Sequence, residues 1–294
     1  MKVRIGVGAT APGAKGPDLG QLVRDLEELR FDSLWLADLL SVPADDPLTG
    51  LAYAAGAVSR LKIGTTMVLP GRNPVRLAKQ VATLDRLSGG RLLLTFVFGL
   101  RLPAELAALG VEAVDRGALV DEVLPLLRRL WSEDAVDHEG PTYRFEKLSI
   151  EPKPQQQPLD VWLGGSVTSS LRRTGRLADG WLPSLQTPAE VAAGRRVIEE
   201  AAAEAGRSID PEHFGVSIGY GRAPASPRLG RLAARRTDEE LALLVPNGIG
   251  ALRELLESYI AVGFSKFVVR PLEAPTSWRK ELEELASGVL DLQG

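Results

Sequence analysis

Gly164-Gly165-Ser166, set between an apolar run and a helical run opening at Thr168, is a better chemical signal than the charged residues at the other run ends. Glycines let a backbone approach a phosphate closely, and a helix start presents unbonded N–H groups with a favourable dipole. Each amide donated to a charged oxygen contributes about 1.5–3 kcal/mol. The competing reading is that the glycine pair merely allows close helix packing. Asp38, at the end of another apolar run, is the carboxylate best placed for acid–base work, or else the cap of the segment that follows. Thr65, Thr66 and Met67 with Arg72, Gly99 with Arg101, and Arg222 and Arg270 stand in or beside the ends of further apolar runs. Arginines there, with few acids opposing them, suggest an anionic ligand; ordinary ion pairing with nearby carboxylates is the alternative.

Other chemistries lack their residues. Cysteine is absent, which excludes disulfides, thiolate metal sites and cysteine nucleophiles together. Of the two histidines, His138 falls in a short alternating segment and His213 opens a strand at its start, so both read as structural or surface residues. Neither belongs to a cluster with ligand spacing, and no catalytic metal is expected. No Gly-x-Ser-x-Gly stands between a strand and a helix, so a nucleophile elbow is not expected either.

The elements that must position these residues repeat one grammar. From Leu61 to Gly99 the chain reads strand, loop, amphipathic helix, glycine turn, strand. The apolar run Ile63–Leu69 stops at Pro70-Gly71, and Val75, Leu77, Ala78, Val81, Ala82, Leu84 and Leu87 then recur at helical spacing. Ser88-Gly89-Gly90 closes that helix, glycine being free to take the left-handed backbone of a C-cap. Leu92–Phe98 is almost wholly apolar, as a parallel strand covered on both faces should be. Strands are also expected at Val3–Ala9, Ser33–Ala37, Leu159–Gly165, Gly180–Pro183, His213–Gly221 and Lys266–Pro271. Helices are expected at about Asp18–Leu29, with Asp18 as N-cap, and at Thr49–Val58, Leu102–Ala108, Arg116–Trp131, Thr168–Leu177, Pro188–Ala205, Gly250–Val262 and Ser277–Leu290.

Eight strands alternating with helices predict one TIM-type (β/α)8 barrel over residues 1–294 rather than an open sheet. The pattern breaks at about 132–158, where Tyr143, Phe145 and Leu148 alternate and predict a small inserted hairpin. A basic, proline-containing stretch at about 223–236, with Arg231, Arg235 and Arg236, reads as a mobile connection. In such a barrel function sits at the C-terminal ends of the strands.

Composition sets outer bounds. The 294 residues suit a single barrel of this kind, which commonly takes about 250. Hydrophobic residues at 45% and charged residues at 25% are ordinary for a globular protein. A formal charge of −3 argues against nucleic acid or an anionic membrane as the main partner. With no basic-plus-apolar leader and no apolar run of about 18 residues, cytoplasmic residence is the expectation.

The chain resembles the luciferase-like flavin and deazaflavin (F420) oxidoreductases, in particular their F420-dependent branch. The likeness spans nearly the whole sequence and rests on FDSLWLAD, RNPVRLAKQVATLDRLSGGR, RGALVDEVLPLLRRLW, HEGPTYRFEKLSIEPKPQQQPLDVWLGG, RRTGRLADGWLP and FVVRP, in order. It implies a barrel with an insertion and coenzyme F420, or alternatively FMN, lying over the strand ends. It further implies that Gly164, Gly165 and Ser166, continuing into Thr168 and Ser169, hold the cofactor phosphate. Asp38 matches an acid that often lines the pocket, and is the one catalytic candidate. Thr65, Thr66, Met67 and Gly99 fall against the ring, with a non-proline cis peptide implied at Thr66-Met67. The activity implied is hydride transfer between the deazaflavin C5 and a small organic substrate, reduction of an activated C=C or C=N bond fitting best. An FMN-dependent monooxygenase and a ligand-binding homologue without turnover are the alternatives, and a homodimer is the expected assembly.

Two departures shape that expectation. Many F420-dependent relatives carry a His directly after the Asp, where this chain has Leu39. Several carry a Glu or Trp just past the fourth-strand glycine, where this chain has Leu100, preceded by the bulky Val97-Phe98-Gly99. Positioned acid–base groups typically contribute about 10²- to 10⁴-fold, so a sugar-phosphate or alcohol dehydrogenase mechanism does not transfer directly.

Overall fold

The computed structural model describes residues 1–9, 18–42, 44–99, 102–222 and 236–294. Its first half builds β1 (Arg4–Gly8), α1 (Leu19–Glu28), β2 (Ser33–Ala37), α2 (Pro47–Ala57), β3 (Lys62–Val68), α3 (Pro74–Leu87), β4 (Leu92–Val97), α4 (Pro103–Ala108) and α5 (Arg116–Ser132). A two-stranded antiparallel hairpin follows, β5 (Val136–Glu139) with β6 (Arg144–Leu148), inside the expected insertion. The second half adds β7 (Val161–Leu163), α6 (Thr168–Leu177), β8 (Gly180–Trp181), α7 (Pro188–Glu204), β9 (Gly215–Tyr220), α8 (Asp238–Ala242), α9 (Gly248–Ala261), β10 (Lys266–Pro271) and α10 (Trp278–Val289). The short helix α8 has no counterpart in the sequence reading. The stretch expected to be mobile, and Leu100, Arg101, Arg231 and Arg235, lie outside the described residues, save Arg236, which pairs with Glu190 at 2.8 Å.

Eight parallel strands run in the order β8-β7-β4-β3-β2-β1-β10-β9. Bridges Trp181 to Phe214 and Ser184 to Ser217 join the two ends, so the sheet closes into a barrel. Local chemistry sets the element ends. Asp18 accepts from the Gln21 amide at 3.0 Å, as expected of an N-cap. Asn73 caps α3 through the amides of Val75 and Arg76, and Gly89 and Gly90 at φ +66° and +76° end it.

Because every strand is covered on both sides, alternate residues enter two different cores. Ile5, Val7, Leu34, Leu36, Ile63, Met67, Leu92, Leu94 and Phe96 pack outward against the helices. The inner core is small, with Trp35, Leu182 and Val268 buried and Leu93 and Trp162 against them. Glycines make room for it: a Cβ on Gly64 would stand 2.5 Å from the Trp35 ring. The indole plugs the barrel centre and leaves the C-terminal mouth open above it. Among the described residues no helix is long and apolar enough to cross a membrane.

Candidate active site

Two adjoining cavities open at the C-terminal rim. The first, about 310 Å³, is lined by Ala37, Asp38 and Leu39 after β2, Thr66 and Val68 of β3, and Val97, Phe98 and Gly99 at the end of β4. The second, about 900 Å³, continues past Phe98 and Gly99 to Arg116 and Gly117 at the start of α5 and to Gly165, Ser166, Ser169 and Arg173. Both volumes fall within the range that holds cofactors and drug-sized ligands. Phe98 stands between them, and its ring lies 5.5 Å from the Arg173 guanidinium carbon.

The second cavity ends on the loop between β7 and α6. Gly165 has φ +96°, a backbone that disfavours side chains, and a Cβ there would sit 2.6 Å from Ser170 Oγ. Ser170 Oγ donates to the Gly164 carbonyl at 3.1 Å, and Trp181 Nε1 donates to the Gly165 carbonyl at 2.8 Å. Both carbonyls are thereby held toward the protein. Val167 is the N-cap of α6 and no side chain caps it, so among the described residues the amides of Thr168 and Ser169 have no hydrogen-bond partner. The start of α5 differs. There Asp115 accepts from the amides of Gly117 and Ala118, and those bonds hold its carboxyl below the usual range. The anion-ready helix start is therefore that of α6, and the residues present fit a phosphate.

At the first cavity Asp38 is held from two sides. Arg72 Nη2 donates to its Oδ2 at 2.7 Å and the Val68 amide donates to the same oxygen at 3.1 Å. Arg72 Nε also donates to the Val68 carbonyl at 3.1 Å. The other carboxylate oxygen, Oδ1, has no bond among the described residues. Leu39 and the exposed Leu40 complete that wall where a basic side chain is absent.

Several sequence expectations are corrected by this geometry. Thr66 lines the cavity, but Thr65 and Met67 are fully buried on the opposite, helix-facing side of β3, because successive side chains of a strand alternate. The Thr66-Met67 bond is not cis. The cis bonds among the described residues are Glu151-Pro152 and Gln157-Pro158, and β3 pairs without interruption with Ala37 of β2 and with Thr95 and Phe96 of β4. The rim arginines are also opposed by acids: Arg72 by Asp38, and Arg222 by Glu281 and Glu284 at 2.7 and 2.6 Å.

Two contributors were missed in the sequence. Arg116 Nη1 donates to the Phe98 and Gly99 carbonyls at 2.8 and 3.2 Å, tying the β4 end to α5. Arg173 makes a two-point pair with Asp121, at 2.8 and 3.0 Å, beside the β7–α6 loop. The available signal was the Arg at the first position of α5 and the Arg one turn beyond Ser169. His138 pairs with Glu122 at 3.0 Å beside the hairpin, and His213 Nδ1 donates to the Asp179 carbonyl at 2.9 Å, both away from the mouth.

A family model described as luciferase-like monooxygenase matches residues 1–256. The F420-dependent glucose-6-phosphate dehydrogenase of Nakamurella multipartita is 31% identical over 226 residues, covering 71% of this chain and 64% of that one. The sulfoquinovose monooxygenase of Agrobacterium fabrum is 32% identical over 193 residues, covering 64% of this chain and 48% of that one. The solved structure of an F420-dependent secondary alcohol dehydrogenase in complex with an F420-acetone adduct matches all of both chains, with a TM-score of 0.84 and 18% identity. At that identity the structural likeness is one of fold.

Proposed function

The chain belongs to the luciferase-like monooxygenase family, and on that premise we propose that it is an F420-dependent oxidoreductase exchanging hydride with a small organic substrate. The observation that carries the reading is the junction of a phosphate-ready loop at Gly165 and Ser166 with an apolar slot floored by Thr66 and Val68. Relatives of similar identity named as F420-dependent support deazaflavin over flavin.

When bound, the cofactor supplies a hydride at its ring. The residues of the chain then have separable tasks. The Gly165–Ser166 loop and the amides of Thr168 and Ser169 would hold the phosphate. Val68, Val97 and Phe98 would exclude water from a ring bound in this cavity, which would strengthen every polar contact inside. Arg116 keeps the Phe98-Gly99 turn in place, and Gly99 at φ +77° lets the chain pass Val68, where a Cβ would be 3.1 Å from Cγ1. Asp38 is pinned through Oδ2 and offers Oδ1 as an acceptor to whatever lies over β2 and β3.

Reduction of an activated C=C or C=N bond suits this wall. In such a reduction the bound cofactor would supply the hydride to the electrophilic carbon and water the proton to its neighbour, so no side-chain acid would be needed. Leu39 provides no proton, and none is required of it. Proximity and orientation are then the main contribution of the protein. Fluorescence titration of the purified protein with F420 and with FMN tests the reading: submicromolar-to-micromolar F420 binding supports it, and binding of FMN alone overturns it. The FMN-dependent monooxygenase reading draws support from the Agrobacterium relative, and oxygen uptake with supplied reduced FMN would identify it.

A further inference from the structure

The barrel mouth divides into two arcs. The ends of β2, β3, β4 and β7 line the two cavities described above, whereas β9, β10 and β1 form a second arc beside them. On that arc the inward positions are small: Gly6 and Gly8 on β1, and Gly215, Ser217 and Gly219 on β9, their neighbours Ile5, Val7, Val216 and Ile218 facing the helices. Between them stands Arg270. Its register partner on β9 is Gly219, and Val269 pairs with Val7, which puts Arg270 beside Gly8. It shares the inward face of β10 with Val268, which packs on Trp35.

Among the described residues the side chain has no partner. A Cβ on Gly8 would lie 3.1 Å from Arg270 Cβ and 3.5 Å from Cδ, so the methylene stem runs across the glycine. The described residues give its guanidinium neither a hydrogen bond nor an ion pair, although the rim arginines 72 and 222 are each held by acids. Burial pushes its pKa down, and no carboxylate acts in the opposite direction. Arg270 is half-buried rather than sealed in, and a partly desolvated guanidinium without a partner among the described residues is open to an anionic ligand that supplies one.

We propose that Arg270 anchors a carboxylate of the substrate, held by the planar fork of the guanidinium on the arc opposite the phosphate loop. The inference deepens the oxidoreductase reading by giving its substrate a class. A monoanion is favoured over a phosphate dianion because the other basic residues of these three strands, Arg4 and Lys266, stand at the far end of the barrel. Two parallel N–H···O bonds match a carboxylate.

Calorimetric titration at low ionic strength tests it, with benzoate and inorganic phosphate as probes, on apo and F420-loaded wild type, Arg270→Lys and Arg270→Gln. Saturable benzoate binding, weakened at least tenfold in Arg270→Gln and less in Arg270→Lys, is expected. Phosphate and F420 affinities should stay within twofold, and the melting temperature of Arg270→Gln should equal or exceed that of wild type. Absent benzoate binding, equal binding by all three proteins, a parallel loss of F420 affinity, or a lowered melting temperature would each overturn the proposal. If F420 fails to bind while benzoate still depends on Arg270, the cofactor assignment fails and the anchor stands.

Discussion

Replacing Gly165 by alanine tests the phosphate loop at its tightest point. The residue sits at φ +96°, and moving an L-residue into left-handed backbone costs about 1–2 kcal/mol. The new Cβ would lie 2.6 Å from Ser170 Oγ, whose bond to the Gly164 carbonyl contributes about 1 kcal/mol and must then shift. The two effects together come to about 2–3 kcal/mol. If the loop absorbs them by moving, one amide-to-phosphate bond of about 1.5–3 kcal/mol is lost, a fall in affinity of about 10- to 150-fold. If the fold absorbs them instead, the melting temperature drops by about 4–12 °C for a protein of this size. The assay is fluorescence titration of wild type and Gly165→Ala with F420 and with the corresponding deazaflavin nucleoside lacking the phosphate, beside a thermal melt. Affinity for F420 should fall and that for the nucleoside should hold. An equal loss for both, or no loss of either affinity or stability, would refute the reasoning.

Asp38→Asn leaves the Arg72 guanidinium without its anion; with both side chains largely buried, stability should fall by about 1–2 kcal/mol, read by urea unfolding, and hydride transfer should slow. Gly64→Ala drives a Cβ to 2.5 Å from the Trp35 ring and should destabilise by about 1–3 kcal/mol through overpacking, visible as a lower melting temperature with F420 affinity retained. At the N-terminal end of the barrel, burial pulls Lys266 down to about 8 against the attraction of Asp32. Its folded pKa is below the unfolded value of about 10.4, so the unfolded chain binds more protons between about pH 8 and 10.4 and stability rises with pH there. Lys266→Met should lose that rise, as urea unfolding at the two ends of the window would show. Asp32 runs the other way: burial alone would raise it, but Lys266 and Lys62 hold it low, so its contribution is present above about pH 3.9 and disappears on acidification through its folded value.

Most of the barrel was legible in the chain. The strands Ser33–Ala37 and Lys266–Pro271 and the helix Thr168–Leu177 emerge with the expected bounds, and the remaining expected elements differ at their ends by one or two residues. Periodicity and caps are local properties, and Asp18, Asn73 and Gly89 act within one turn of where they stand. The Gly164–Ser166 turn and the helix start at Thr168 were equally legible, because glycine conformation and a helix start are both set by adjacent residues. The helix α8 was missed, lying next to a stretch whose basic, proline-containing composition suggests only a connection.

What the strands carry inward was not legible. In β3 both faces are apolar or neutral, so the period of two is present without saying which set enters the barrel, and Thr65 and Met67 turn to the helices while Thr66 meets the cavity. The arginines show the same limit. Arg72 and Asp38 are 34 residues apart, Arg222 and Glu281 are 59 apart, and Arg270 stands between Gly8 and Gly219 with no partner among the described residues. Sequence spacing determines which residues share a face of an element; only closure of the sheet decides which face becomes the interior and which charges find a partner. Those pairings depend on contacts between distant strands, and charge acts through space rather than along the chain.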